Sequence, residues 1–172
     1  MTRSILLAFT VFALGGCATS GESSRVHELL GDKTVRVLKA ADRVEVFRIK
    51  SQRDPAAQNT IGGFPIISAG REQGADFRHQ LAHVLLADSS YEWNMAKGCT
   101  FDPGVAYRVW SGSDSIVVLD CFNCDEVGFI ADEKAPGTMV IHDADPGRPQ
   151  LLKLAKEALP QDAAIQSLTS HG

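Results

Sequence analysis

The chain lacks a basic excess: 17 Lys and Arg stand against 21 Asp and Glu, a net charge of -4 with a pI near 5.7. Grip on a phosphate backbone needs clustered cations, so no nucleic-acid partner is expected. Cysteine is scarce, and four residues are too few for a disulfide-dense scaffold, although three of them, Cys99, Cys121 and Cys124, fall within 26 positions. Ser68, Ser89 and Ser90 do not stand in a Gly-x-Ser-x-Gly turn, so the usual sign of a serine hydrolase is missing. The glycines near Phe64 are not followed by the helix and lysine that a phosphate-cradling loop requires. Sequence repeats and low-complexity tracts are absent too. No catalytic residue set and no cofactor motif emerges, which leans the reading away from an enzyme. With 172 residues, 44% of them hydrophobic, the chain fits one modest domain better than two.

The one long apolar run stands at the start. Residues 1–16, MTRSILLAFTVFALGG, carry a cation at Arg3, an uncharged core from Ile5 to Leu14 and two small glycines before Cys17. The core is short of the roughly 20 residues of a spanning helix, and the order is that of a secretory signal. Leu14-Gly15-Gly16-Cys17 resembles the bacterial lipobox, in which the cysteine takes a diacylglycerol thioether and becomes the first mature residue. The competing reading is an ordinary signal peptide cut near Ala18. Each buried CH₂ of an acyl chain contributes about 0.8 kcal/mol, so several chains hold a protein that has no spanning helix. By resemblance to known lipoproteins, Ala18 rather than Asp after the cysteine favours the outer membrane, with the protein facing the periplasm. Residues 17–24 then read as lipidated cysteine and polar tether, too small and polar to bury a core.

Residues 25–172 are expected to form a single α+β domain, an antiparallel sheet with a central hairpin packed against helices. Arg25–Leu30 reads as a turn of helix ending at Gly31, and Thr34–Leu38 and Arg43–Ile49 as strands. Ile61–Ile67 is taken as a short edge strand with a bend. Asp76–Asp88 is the clearest helix, with Phe77, Leu81, Val84 and Leu85 at three- and four-residue intervals. Val105–Trp110 and Ser115–Cys121 flank Ser111-Gly112-Ser113-Asp114, a hairpin signal with the right turn chemistry. Short strands at Val127–Ile130 and Thr138–His142 follow, then a leucine-rich helix closed by Pro160, with Ile165 and Leu168 packing as a tail.

A hairpin with Ser111 opposite Asp114 sets Gly104 opposite Cys121 and Phe101 opposite Cys124, which brings Cys99 near the same sheet end. Three chemistries compete for these sulfurs. An oxidising envelope favours one structural disulfide, Cys99 to Cys124 in preference to Cys99 to Cys121, with Cys121 left as the unpaired thiol. Cys121-Phe122-Asn123-Cys124 has thiol-exchange spacing, yet Asp125 and Glu126 follow where such enzymes place a helix N-terminus. A metal shell of Cys99, Cys121, Cys124 and His142 is the third reading, weakened by the distance in sequence to the histidine. His79 and His83, one turn apart, lie beside Arg78 and lack the Glu of a metalloprotease motif.

Asp120, Asp125 and Glu126, with Asp102, are candidate ligands or acids at the hairpin end; the bland alternative is a solvated acidic rim. Asp120 stands out because it interrupts an apolar strand. Tyr91, Trp93, Tyr107 and Trp110 are candidate recognition aromatics, with Tyr107 and Trp110 on opposite strand faces.

Over Tyr91 to Glu126, Met95-Ala96-Lys97-x-Cys99-x-Phe101-x-Pro103-Gly104-x-Ala106-x-Arg108 and Cys121-Phe122-x-Cys124-Asp125-Glu126 resemble a family of small uncharacterised bacterial envelope proteins, many of them lipoproteins. The similarity extends weakly to Val44–Ile67 and to the terminal helix. The resemblance implies a shared domain in which the sulfur-bearing hairpin matters, and it transfers no catalytic role. Together these readings describe a lipid-anchored envelope protein with a structural or binding role and an envelope protein as partner; the alternative is a thiol-redox or metal protein built on the three cysteines.

Overall fold

The computed structural model describes residues 24–95, 97–135 and 138–170. The signal segment, Cys17 and the tether through Ser23 lie outside the described residues. Ser24, assigned above to the tether, opens the first helix.

Among the described residues, seven strands form one antiparallel sheet: β1 (Arg43–Ile49), β2 (Thr60–Ile61), β3 (Phe64–Ala69), β4 (Val105–Ser111), β5 (Asp114–Cys121), β6 (Glu126–Ile130) and β7 (Val140–Asp143). Their order is β2-β3-β1-β4-β5-β6-β7. The helices are α1 (Ser24–Lys39), α2 (Ala75–Leu86), α3 (Arg148–Ala158) and α4 (Ala163–Ser167). The fold is α+β, as the order of elements, with helices at both ends of a strand-rich centre, implied.

Alternation along the strands divides the apolar residues between two cores. Val44 and Val46 of β1, Val105, Tyr107 and Val109 of β4, Ile116 and Val118 of β5 and Val127 and Phe129 of β6 face the helices. Ile49, Ile61, Phe64, Ala106, Val117, Leu119 and Ile130 form a smaller cluster on the opposite face, joined by Phe47, Phe101 and Met139. Both faces of β1 are covered, with Val44 and Val46 buried on one side and Ile49 buried and Phe47 partly buried on the other.

The central hairpin has the expected register, with Ser111 opposite Asp114 and Val105 opposite Asp120. Gly112 supplies the positive φ of 59° at the first of the two linking positions. The Ile61–Ile67 segment is not a bent strand but a second hairpin, because Gly62 and Gly63 take φ of 58° and 86° and turn the chain back between β2 and β3.

Thr34–Leu38 is a correction to the strand expected there. Gly31 (φ 73°, ψ 163°) breaks α1, but helix resumes beyond it to Lys39. Val26, Leu30, Thr34, Val37 and Leu38 recur at helical spacing and are buried, so packing on the sheet overrides the β-propensity of the valines. Helix α2 ends at Leu86, and Asp88–Ser90 turns as a 3-10 helix. Helix α3 buries Leu151, Leu152, Leu154 and Ala155. Asp162 caps α4 through a 2.9 Å bond from the Ile165 N–H. Among the described residues, no helix is long and apolar enough to cross a membrane.

Candidate functional site

The candidate residues gather where β5 turns into β6. Cys121 is opposite Glu126, and the loop between them contains Cys124 and Asp125. Asp125 takes φ of 54°, a left-handed conformation that Asp tolerates better than bulkier residues. The Cys124 N–H donates to the Cys121 carbonyl at 3.2 Å and closes a four-residue turn.

The sulfurs of Cys99 and Cys124 are joined as a disulfide, with their Cα atoms 6.0 Å apart, inside the usual range for such a bond. Cys121 is a buried free thiol. The bond ties the irregular segment before β4 to the β5–β6 turn. Lys97 holds the same segment from the other side, donating to the Cys124 carbonyl at 2.7 Å and pairing with Asp145 and, at 3.4 Å, with Asp143. Partial burial works against its ammonium, but Asp145 and Asp143 more than offset this and hold its pKa above the ordinary lysine value. Phe101 then covers Gly128, where a Cβ would lie 2.9 Å from the ring.

Strand alternation sends the acids to different places. Asp120 shares the helix-side face with Val105 and Val127, its neighbours in register, and is 2% exposed. The solvated rim expected for it is therefore not formed. Burial drives the Asp120 carboxyl well above the usual carboxylate range, opposed by Arg148 and reinforced by Asp125. Glu126 lies opposite Cys121 on one side and Asp143 on the other; burial raises its pKa, Lys97 opposes, and Asp143 adds to the rise. Asp125 pairs with Arg148. Its pKa is nonetheless raised, first by burial, which Arg148 opposes, and further by a hydrogen bond that the protonated Asp125 donates to Asp145.

Arg148 was not singled out in the sequence. It opens α3, where a cation meets the positive end of the helix dipole, and that mismatch is the signal that marks it. The side chain is 6% exposed and donates to the carbonyls of Phe122 at 2.6 Å and Thr169 at 2.9 Å. It thus clamps the β5–β6 turn to the C-terminal tail.

His142 is on the helix side, opposite Val127. Its ring lies 4.8 Å from that of Trp93 and 5.8 Å from that of Tyr91. Arg25 in turn lies 4.4 Å over Trp93. The alternative metal set of Cys99, Cys121, Cys124 and His142 does not converge, because two of the sulfurs are bonded to each other and the histidine packs among aromatic rings. Among the described residues no group of three or more His, Cys, Asp or Glu is arranged to hold a metal ion. His79 and His83 line a shallow hollow with Gln150 and Lys153 between α2 and α3, apart from the sulfurs. Of the aromatic candidates, Tyr107 is fully buried, while Trp110 lies under Arg43 at 4.4 Å and donates to Glu45 at 2.8 Å.

No protein-family model, curated protein or solved structure matches the chain. The chemistry of this end of the sheet is therefore read from its own geometry. Two of its sulfurs and its cations are engaged in holding the chain: the disulfide and Lys97 fasten the segment before β4, and Arg148 fastens the turn.

Proposed function

We propose that this protein is a bacterial lipoprotein, held by acyl chains on Cys17 at the periplasmic face of the outer membrane, whose domain serves a structural or binding role toward an envelope protein. The observation that carries the reading is Leu14-Gly15-Gly16-Cys17 at the end of a short apolar core, followed within a few polar residues by the first helix at Ser24. A tether of that length holds the domain within about 25 Å of its anchor, at roughly 3.6 Å per extended residue. The resemblance of Tyr91–Glu126 to envelope lipoproteins supports the same placement.

A non-catalytic role is supported by the engagement of the candidate residues. Asp125 is paired, Cys99 and Cys124 are bonded, and Asp120 and Cys121 are buried at 2% and 0% exposure. A general acid needs access to its substrate, and Asp120 faces the interior. Replacing Cys17→Ser in the native host tests the anchor. The variant is expected to leave the membrane fraction or to accumulate as uncleaved precursor; normal processing with labelled lipid still incorporated would contradict the reading.

A further inference from the structure

Cys121 lies one hydrogen-bonded turn from Cys124, which is half of the disulfide. Burial holds the Cys121 thiol above its ordinary pKa and Glu126 adds to the rise, while hydrogen bonds from the backbone N–H groups of Asp102, Cys124 and Asn123 to its sulfur oppose it. One of those donors belongs to Cys124, half of the disulfide. Cys121 and Cys124 occupy the two ends of a hydrogen-bonded turn, and such turns hold their end Cα atoms within about 7 Å, close to the span a disulfide bridges. The other half of the bond differs in exposure. Cys99 is exposed, whereas Cys124 is 4% exposed and Cys121 is fully buried.

From this arrangement we propose that Cys99, Cys121 and Cys124 form a thiol-disulfide exchange site in which Cys121 displaces Cys99 from Cys124. Opening of the turn at exposed Asn123 lets water take the Cys121 proton, and the thiolate attacks the Cys124 sulfur. The Cys121–Cys124 bond forms, the Cys99–Cys124 bond breaks, and Cys99 leaves as a surface thiolate that takes up a proton. The count of thiols and disulfides is unchanged, so no oxidant or reductant is consumed. The released Cys99 then exchanges with a disulfide offered from solution, forming a mixed disulfide and expelling one thiolate. The partner chemistry is thus an accessible disulfide, and only Cys99 meets it. Exchange also frees one fastening of the segment before β4, leaving Lys97 and the packing of Phe101 on Gly128 to hold it. Nothing in this step depends on the anchor at Cys17.

Incubation of the detergent-extracted full chain with oxidised glutathione, followed by acid quench and non-reducing peptide mapping, tests the site. The expected product has glutathione on Cys99 and a Cys121–Cys124 bond in the same molecule. Cys121→Ala is expected to lower the Cys99 adduct at least tenfold, with Cys121→Ser as a second variant should the first lose its near-ultraviolet circular dichroism. Glutathione on Cys121 with Cys99–Cys124 intact, no adduct at all, or equal adduct in a folded Cys121 variant would each overturn the proposal. The wild-type map decides the matter if neither variant folds.

Discussion

Tyr107 and Asp120 face the same helix-covered side of the sheet from adjacent strands, both buried, and the Tyr107 hydroxyl and one Asp120 oxygen each lack a hydrogen-bond partner. Burial raises both pKa values, and Asp120 adds to the rise at Tyr107. A carboxyl whose folded pKa exceeds its unfolded one contributes stability below the unfolded value, and that contribution is lost as pH rises toward the folded one.

Asp120→Asn removes this titration. At about pH 7.5 the variant is expected to be as stable as the parent or more stable by about 1–2 kcal/mol, since an amide avoids the cost of burying a charge. The difference should shrink as pH falls toward about 4, the ordinary carboxylate range. Urea unfolding across that range measures it. A clear loss of stability at neutral pH would instead mean that the carboxylate is ionised and held by Arg148.

The disulfide closes a loop with a sequence separation of 25, for which chain entropy gives about 3 kcal/mol. Cys99→Ala and Cys124→Ala should each lower stability by about that amount, and the double variant should add little because the two residues share one bond. Differential scanning calorimetry of the three variants reads this directly. Additive losses would show that each side chain contributes separately.

Gly70, the residue after β3, packs against the end of α3. Its N–H donates to Val46 at 2.7 Å, and a Cβ there would sit 2.7 Å from the Ala158 carbonyl oxygen at the end of α3. Neither backbone can yield without moving an element. Gly70→Ala is expected to cost about 1–3 kcal/mol, the usual range for forced overpacking, whereas Gly112→Ala at the exposed hairpin turn meets only its own positive φ, worth about 1 kcal/mol. Denaturant midpoints of the two variants compare them.

Much of the sheet was legible because its signals are local. The Ser111–Asp114 turn fixed the register of β4 and β5, and the spacing of Phe77, Leu81 and Val84 marked α2. Thr34–Leu38 was misread because Val35 and Val37 carry strand propensity, and only burial against β4 and β5 makes them helical. Asp120 was visible as an acid in an apolar strand, but Arg148, which pairs with Asp125 across a sequence separation of 23, was not. Pairings at such distances depend on how α3 docks, which no local pattern encodes. Lys97 stood in the motif without a role until Asp143 and Asp145 folded beside it.

Mass spectrometry of the N-terminal peptide from membrane-extracted native protein tests the anchor at Cys17 most directly. The predicted result is a mature chain beginning at Cys17, with a diacylglycerol thioether on its sulfur. A mature chain beginning elsewhere, or an unmodified Cys17 in the membrane fraction, would contradict it.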